Sequence, residues 1–188
     1  YAPLLNVNKT QPNEKPIFEK TFPRFCLRYK YRDGEYSPFG PFTDVVFSPN
    51  LKNYNSNTAY NVEELYNTAM SNDIGSIDVV GFVRDDIPKD VVEIDILYKQ
   101  EDSTVIYSVA SINKTDNAWN TIVNSNVIDQ GIAPADTNTI HVRGSYTIST
   151  ENIYAALPAS QFLRPWDNVP RKALSQEIIG NRLVYGNY

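Results

Sequence analysis

The sequence predicts an all-β protein, an antiparallel β-sandwich with one or two short helices. Three observations carry that prediction. Several runs alternate apolar and polar residues with a period of two, as a half-buried strand does. Turn-forming residues separate those runs, at Asp33-Gly34, Asp85-Asp86 and Glu101-Asp102-Ser103. Apolar residues at helical spacing occur only in short stretches. With 41% hydrophobic and 21% charged residues, the 188-residue chain can bury a core.

The chain is organised around residues 24–47, RFCLRYKYRDGEYSPFGPFTDVVF. Phe25, Leu27, Tyr29 and Tyr31 alternate with Arg24, Arg28, Lys30 and Arg32, and parity puts Cys26 on the polar face. Asp33-Gly34 supplies the turn, because Gly accepts positive φ and Asp can bond the backbone two residues on. A second extended run, 42–47, follows a bend at 37–41 punctuated by Pro38, Gly40 and Pro41. Residues 1–22 are polar and irregular apart from Pro3-Leu4-Leu5, and read as an extended arm or linker. Such an arm can pair with the sheet edge of a neighbouring subunit.

Residues 48–60 are a loop by composition. The stretch 61–71 is expected to be helical, with Asn61 as cap, Glu63 and Glu64 in the first turn, and Val62, Leu65 and Ala69 as the apolar stripe. Strands follow at 77–84, 91–100 and 105–112, the last two forming a hairpin. In 91–100, Val92, Ile94, Ile96 and Tyr98 oppose Glu93, Asp95 and Lys99. The connection 113–138 holds Trp119, assigned to plug the end of the sandwich. Strand 139–149 turns Ile140, Val142, Tyr146 and Ile148 inward, with His141 and Arg143 outward. About six strand runs with little helix argue for an immunoglobulin- or fibronectin III-like antiparallel sandwich, one complete module plus part of another. The division is an arm at 1–22, closing strands of a first module at 23–47, a β-sandwich module at 48–150 and a connector at 151–188. In that connector Asp167-Asn168 offers a cap, 171–179 is compatible with a short helix, Gly180 stops it, and 181–188 begins another strand. It leads into a further domain or docks on a partner.

Charge and composition exclude several roles. A net charge of −5 and pI near 4.9 leave no basic surface for phosphates, so no nucleic-acid partner is expected. The basic run on 24–32 is read as a solvated face offset by Asp33, Glu35 and Asp44. The one cysteine, Cys26, cannot form an internal disulfide. The one histidine, His141, has no second ligand at metal spacing, and no cofactor motif is present. No run approaches the ~18 apolar residues of a membrane span. The sequons Asn8-Lys9-Thr10 and Asn113-Lys114-Thr115 are expected by chance in an Asn-rich chain. The start at Tyr1 and the lack of a closing pattern at Tyr188 lead to the expectation of a piece of something longer. Asp85/Asp86 and Glu101/Asp102 are adjacent acids in turns, where acids are solvated, and not a glycosidase pair. The 13 tyrosines suit sheet faces and protein contacts alike.

Three blocks together, RYKYRDGEYSPFGPFTDVVF, IPKDVVEIDILYKQEDSTVIYSVASI and LPASQFLRPWDNVPRKALSQEIIGNRLVYGNY, resemble the large virion structural proteins of tailed bacteriophages, of the marine cyanophage and crAss-like gut phage type. The resemblance covers roughly residues 22–188, and the last block is the most specific. It implies a non-enzymatic tail-region or portal-proximal component, such as a nozzle, muzzle or fibre-associated protein. Its partners would be copies of itself and other virion structural proteins. Phe162, Leu163 and Trp166 are the expected tail anchors, since apolar groups in a Pro-bounded segment otherwise stay exposed at about 25 cal/mol per Å², and Arg164, Tyr185 and Tyr188 are expected assembly contacts with them. The alternative is a glycan- or receptor-binding module on a phage fibre or bacterial surface, with Tyr36, Phe39, Phe42 or Trp119 as a sugar platform for a host glycan. As the closing strand of a fibronectin-like module, 24–32 is expected to lack part of its sheet, or to borrow it from 1–22 or another chain.

Overall fold

The computed structural model describes residues 1–51, 60–61, 66–123, 143–153, 155–158, 161 and 174–186. The architecture is all-β, antiparallel and sandwich-like. One sheet has the order β1-β5-β8, from Leu4–Asn8, Ser76–Val83 and Arg143–Ile148. The other has the order β2-β6-β7-β9, from Pro23–Tyr31, Val91–Gln100, Tyr107–Asn113 and Ala155–Ala156. The inward residues of both sheets meet in one core: Phe25 and Leu27 of β2, Ile77 and Val79 of β5, Ile94 and Ile96 of β6, and Ile148 of β8. The period-two alternation of the sequence is thus the alternation between this core and the outer faces.

Three register slips adjust the alternation, one of them between Ile96 and Leu97, which pair with Ala110 and Ser108 of β7. The register slips between Lys30 and Tyr31, which pair with Glu93 and Val91, so Val91 enters the core beside Ile94 and Val92 is the extra residue. In β5 the register slips between Val80 and Val83, where Gly81 takes φ +69°. Glycine takes this left-handed bulge position without the strain a side chain would bring. The bulge lets Phe82 and Val83 both be buried. Phe82 then occupies the space in front of Gly144, whose added Cβ would lie 2.7 Å from the ring.

Trp119 does plug the core, from the four-residue helix α1, Asn117–Asn120. Asn72, fully buried, ties three loops together. Its amide Nδ2 donates to the carbonyls of Phe18 and Thr21, both at 2.9 Å, and its Oδ1 accepts from the Ser48 N–H at 2.9 Å. Phe18 is held at φ +53°, a costly conformation for a large side chain, with its N–H on Glu151 at 2.9 Å and its ring on Tyr98.

The structure corrects four expectations. Residues 1–22 are not outside the body: β1 pairs with β5 along Leu4–Asn8. Residues 23–47 do not close a separate module, because β2 pairs with β6 over its whole length and shares its core. Within 61–71 the described residues form the two-residue strands β3, Tyr60–Asn61, and β4, Tyr66–Asn67, then a 3₁₀ turn at Thr68–Met70. Within 171–179, Ser175–Ile179 is the strand β10, paired with β11, Arg182–Gly186. Gly180 turns this hairpin where a helix stop was expected, with Gly180 at φ +56° and Asn181 at φ +64°.

Candidate functional site

The outer face of the β2-β6-β7-β9 sheet carries the densest arrangement of charged and aromatic groups among the described residues. It begins with register. Arg28 lies opposite Asp95 and Lys30 opposite Glu93, so outward bases of β2 meet outward acids of β6. Arg28 donates from Nε and Nη2 to Asp95 Oδ2 at 3.0 and 2.6 Å, and Ser111 donates its hydroxyl to the other carboxylate oxygen at 2.6 Å. Both charged side chains are buried, at 4% and 3% exposure. Lys30 donates to Glu93 at 3.2 Å, and this bond raises the Lys30 pKa. Arg24 pairs with Glu101 at one end of the strand. Arg24, Arg28 and Lys30 are therefore paired by β6 and the turn after it. Arg28 is also buried where a solvated residue was expected.

The segment 37–46 lies along the free side of β2, but not as a strand. The N–H groups of Ser37, Gly40, Thr43 and Val46 donate to the carbonyls of Tyr29, Leu27, Phe25 and Pro23. Every third residue of the strap meets every second residue of the strand. Three is the period of extended Pro-rich chain, and Pro38 and Pro41 fall at positions that need not donate. The hydroxyls of Ser37 and Thr43 accept from the Tyr29 and Phe25 N–H groups at 2.9 and 3.1 Å, which adds to the pairing. Gly40 is required at the closest approach, since a Cβ there would lie 3.0 Å from the Leu27 carbonyl. The edge expected to want a partner from 1–22 or another chain is thus covered by the chain's own strap.

The same period aims the aromatics. Tyr36, Phe39 and Phe42 lie over the cations of the face: Arg28 is 4.0 Å from the Tyr36 ring centre and 5.8 Å from that of Phe39, and Lys99 is 5.0 Å from that of Phe42. Beneath, Cys26, Leu97 and Ile106 form a small second apolar cluster with Phe39, Phe42 and Leu157 against it. Burial pushes the Cys26 thiol pKa up to about 12, although Arg28 and Lys99 pull it down, so the thiol is a poor nucleophile. Trp119, proposed for the same sugar platform, lies in the core.

This face also receives the C-terminal connector. β9 pairs with Tyr107 and Ser108, the Leu157 N–H donates to the Ile106 carbonyl at 2.8 Å, and Gln161 Oε1 accepts from Arg28 Nη1 at 2.9 Å. Arg28 thereby links β6, the strap and the connector. Beyond it the hairpin β10–β11 exposes Ile178, Ile179, Leu183, Val184 and Tyr185. Of the expected assembly contacts, Tyr185 is on this hairpin, 43% exposed. Phe162, Leu163, Arg164, Trp166 and Tyr188 lie outside the described residues, as does His141.

Three of the four candidate acids, Asp85, Asp86 and Glu101, are engaged with arginine. Asp86 accepts from Arg84 at 3.1 Å, Asp85 lies 3.8 Å from Arg143, and Glu101 holds Arg24. Among the described residues no three His, Cys, Asp or Glu side chains come together as a metal site. No described helix is long and apolar enough to cross a membrane. A separate slot of about 300 Å³ opens between β7 and β8, lined by Ser108, Tyr146, Thr147, Thr150, Asn152 and Ile153 among others. Sequence reasoning missed the Arg28–Asp95 pair. Its signal was present, as bases on one strand's outward parity and acids on another's, but only the register joins them.

The fold and this face define an all-β, antiparallel, sandwich-like body with a docked connector and an exposed hairpin. No family model, curated protein or solved structure matches the chain.

Proposed function

We propose that this chain is a non-enzymatic building block of a tailed bacteriophage virion, in the tail region or near the portal, working by surface complementarity with copies of itself and with neighbouring virion proteins. The observation that carries the reading is the contrast between body and tail. The connector is bolted to the body through Leu157 and Gln161, while the hairpin it leads to shows apolar side chains to water. Exposed apolar surface on an ordered element marks a contact site. The three-block resemblance supplies the virion context.

We further propose that the sandwich is of the immunoglobulin type. In an immunoglobulin arrangement one sheet carries strands A, B and E and the other G, F and C, with C′ beyond C in the variable type. The order β1-β5-β8 suits A-B-E, and strap-β2-β6-β7 suits G-F-C-C′. The F and G equivalents then precede B in the chain, so the module is a permuted one. A nonsense codon in the gene tests the role: the account expects particles with filled heads and a defective tail, and complete infectious particles would refute it.

A second reading, a glycan-binding module, draws on the polar slot between β7 and β8, with one tyrosine ring and several hydroxyls. Binding of host polysaccharides on a glycan array, lost in Tyr146→Ala, would favour it.

A further inference from the structure

The C-terminal hairpin has two edges of different character, and the inference drawn from them rests on the assembly reading above. Positive φ at both Gly180 and Asn181 is what a two-residue type I′ turn needs. Ile179 and Arg182 close that turn. In an antiparallel ladder hydrogen-bonded and non-hydrogen-bonded pairs alternate. The backbone groups of Gln176 and Ile178 on β10, and of Leu183 and Tyr185 on β11, therefore point away from the hairpin. Ile178, Leu183, Tyr185 and Gln176 share one face without charge, and Glu177 lies diagonal to Arg182 on the other. Ile178 is 76% and Leu183 51% exposed. Two strands alone are marginal in water, and three or more are needed for independent stability.

Symmetry and charge then choose between the edges. Pairing β10 with β10 of a second copy, in the register that uses both outward residues, sets Glu177 against Glu177 across the two-fold axis. Like charges directly opposite are destabilising. Pairing β11 with β11 sets Val184 against Val184, Leu183 against Tyr185 and Arg182 against Gly186, with no like charges opposed. We propose that β11 is the self-association edge: two copies join antiparallel through it, centred on Val184, to make a four-stranded sheet in the order β10-β11-β11-β10.

Val184 would form a non-hydrogen-bonded pair with its copy, at a Cα separation of about 4.5 Å, within the roughly 4.4–6.8 Å span a disulfide bridges. The test is Val184→Cys in the full chain, mildly oxidised and run on a non-reducing gel, beside wild type and Glu177→Cys, with light scattering of each. Cys26 is fully buried and supplies no competing thiol. The expected result is a covalent dimer for Val184→Cys, none for Glu177→Cys, and self-association of wild type weakened severalfold by Val184→Glu. Wild-type self-association without a Val184→Cys crosslink would overturn this edge and leave the assembly reading standing. A wild-type chain that stays monomeric at every concentration, with no crosslink, would overturn the edge and the self-assembly part of that reading together.

Discussion

Replacing Asp95 by alanine removes the carboxylate that neutralises Arg28. The guanidinium stays in place, 4% exposed, having lost donors' partners at 3.0 and 2.6 Å, while the Ser111 hydroxyl loses its acceptor. Two unit charges ~4 Å apart attract by about 4 kcal/mol at an effective dielectric near 20. Breaking one side of a buried pair costs about 3–5 kcal/mol, because the surviving charge is stranded. For a chain of this size each kcal/mol lowers Tm by about 2–4 °C, so Asp95→Ala should melt roughly 6–20 °C below wild type. Thermal and urea unfolding followed by circular dichroism measure both quantities. The double replacement Arg28→Met/Asp95→Leu should recover most of the loss, since it strands no charge. A cost below about 1 kcal/mol for Asp95→Ala would match an exposed pair and refute the reasoning.

Three further outcomes are expected. Asn72→Asp keeps the shape but replaces two donors, leaving the Phe18 and Thr21 carbonyls without partners at about 1–3 kcal/mol each, and a urea midpoint equal to wild type would contradict the hub. Deleting 174–188 should leave the melting temperature unchanged, whereas deleting 157–188 also removes Gln161 from Arg28 and Leu157 from the face, and should lower it. The Cys26 thiol should resist Ellman's reagent at pH 8 until the protein unfolds. Its folded pKa lies above the unfolded value of 9.0, so the unfolded chain loses the proton first. Its contribution is therefore intact below pH 9 and falls by about 1.4 kcal/mol per unit above it, toward pH 12, and Cys26→Ala should flatten that decline.

The strands β2, β6 and β8 were legible because each alternates side chains between a core and an outer face, and β5 because it is an apolar run of strand length, buried almost throughout. β1 was not, since five residues with two leucines carry too little pattern, and only pairing with β5 makes them a strand. The strap was half legible. Its extended course follows from Pro38 and Pro41, but a period of three against the strand's two emerges only when it lies on β2. Residues 171–179 misled because Gln176 and Glu177 suit a helix, while Gly180-Asn181, the turn signal, was taken for a helix stop. Arg28 and Asp95 are 67 residues apart, so their pairing is a fact of register that no local pattern announces. The hairpin's role was placed on Tyr185 and Tyr188 by resemblance alone. The charge difference that makes β11 the better edge, Glu177 on β10 against Val184 on β11, follows from the register of the two strands.

The central claim, that this chain is a component of a phage particle, is tested most directly by quantitative mass spectrometry of gradient-purified virions, combined with immunogold labelling against residues 174–186. The account predicts peptides of this chain at a fixed whole-number ratio to the other tail proteins, with label on the tail or its junction with the head. Purified infectious particles that contain none of it would contradict the account.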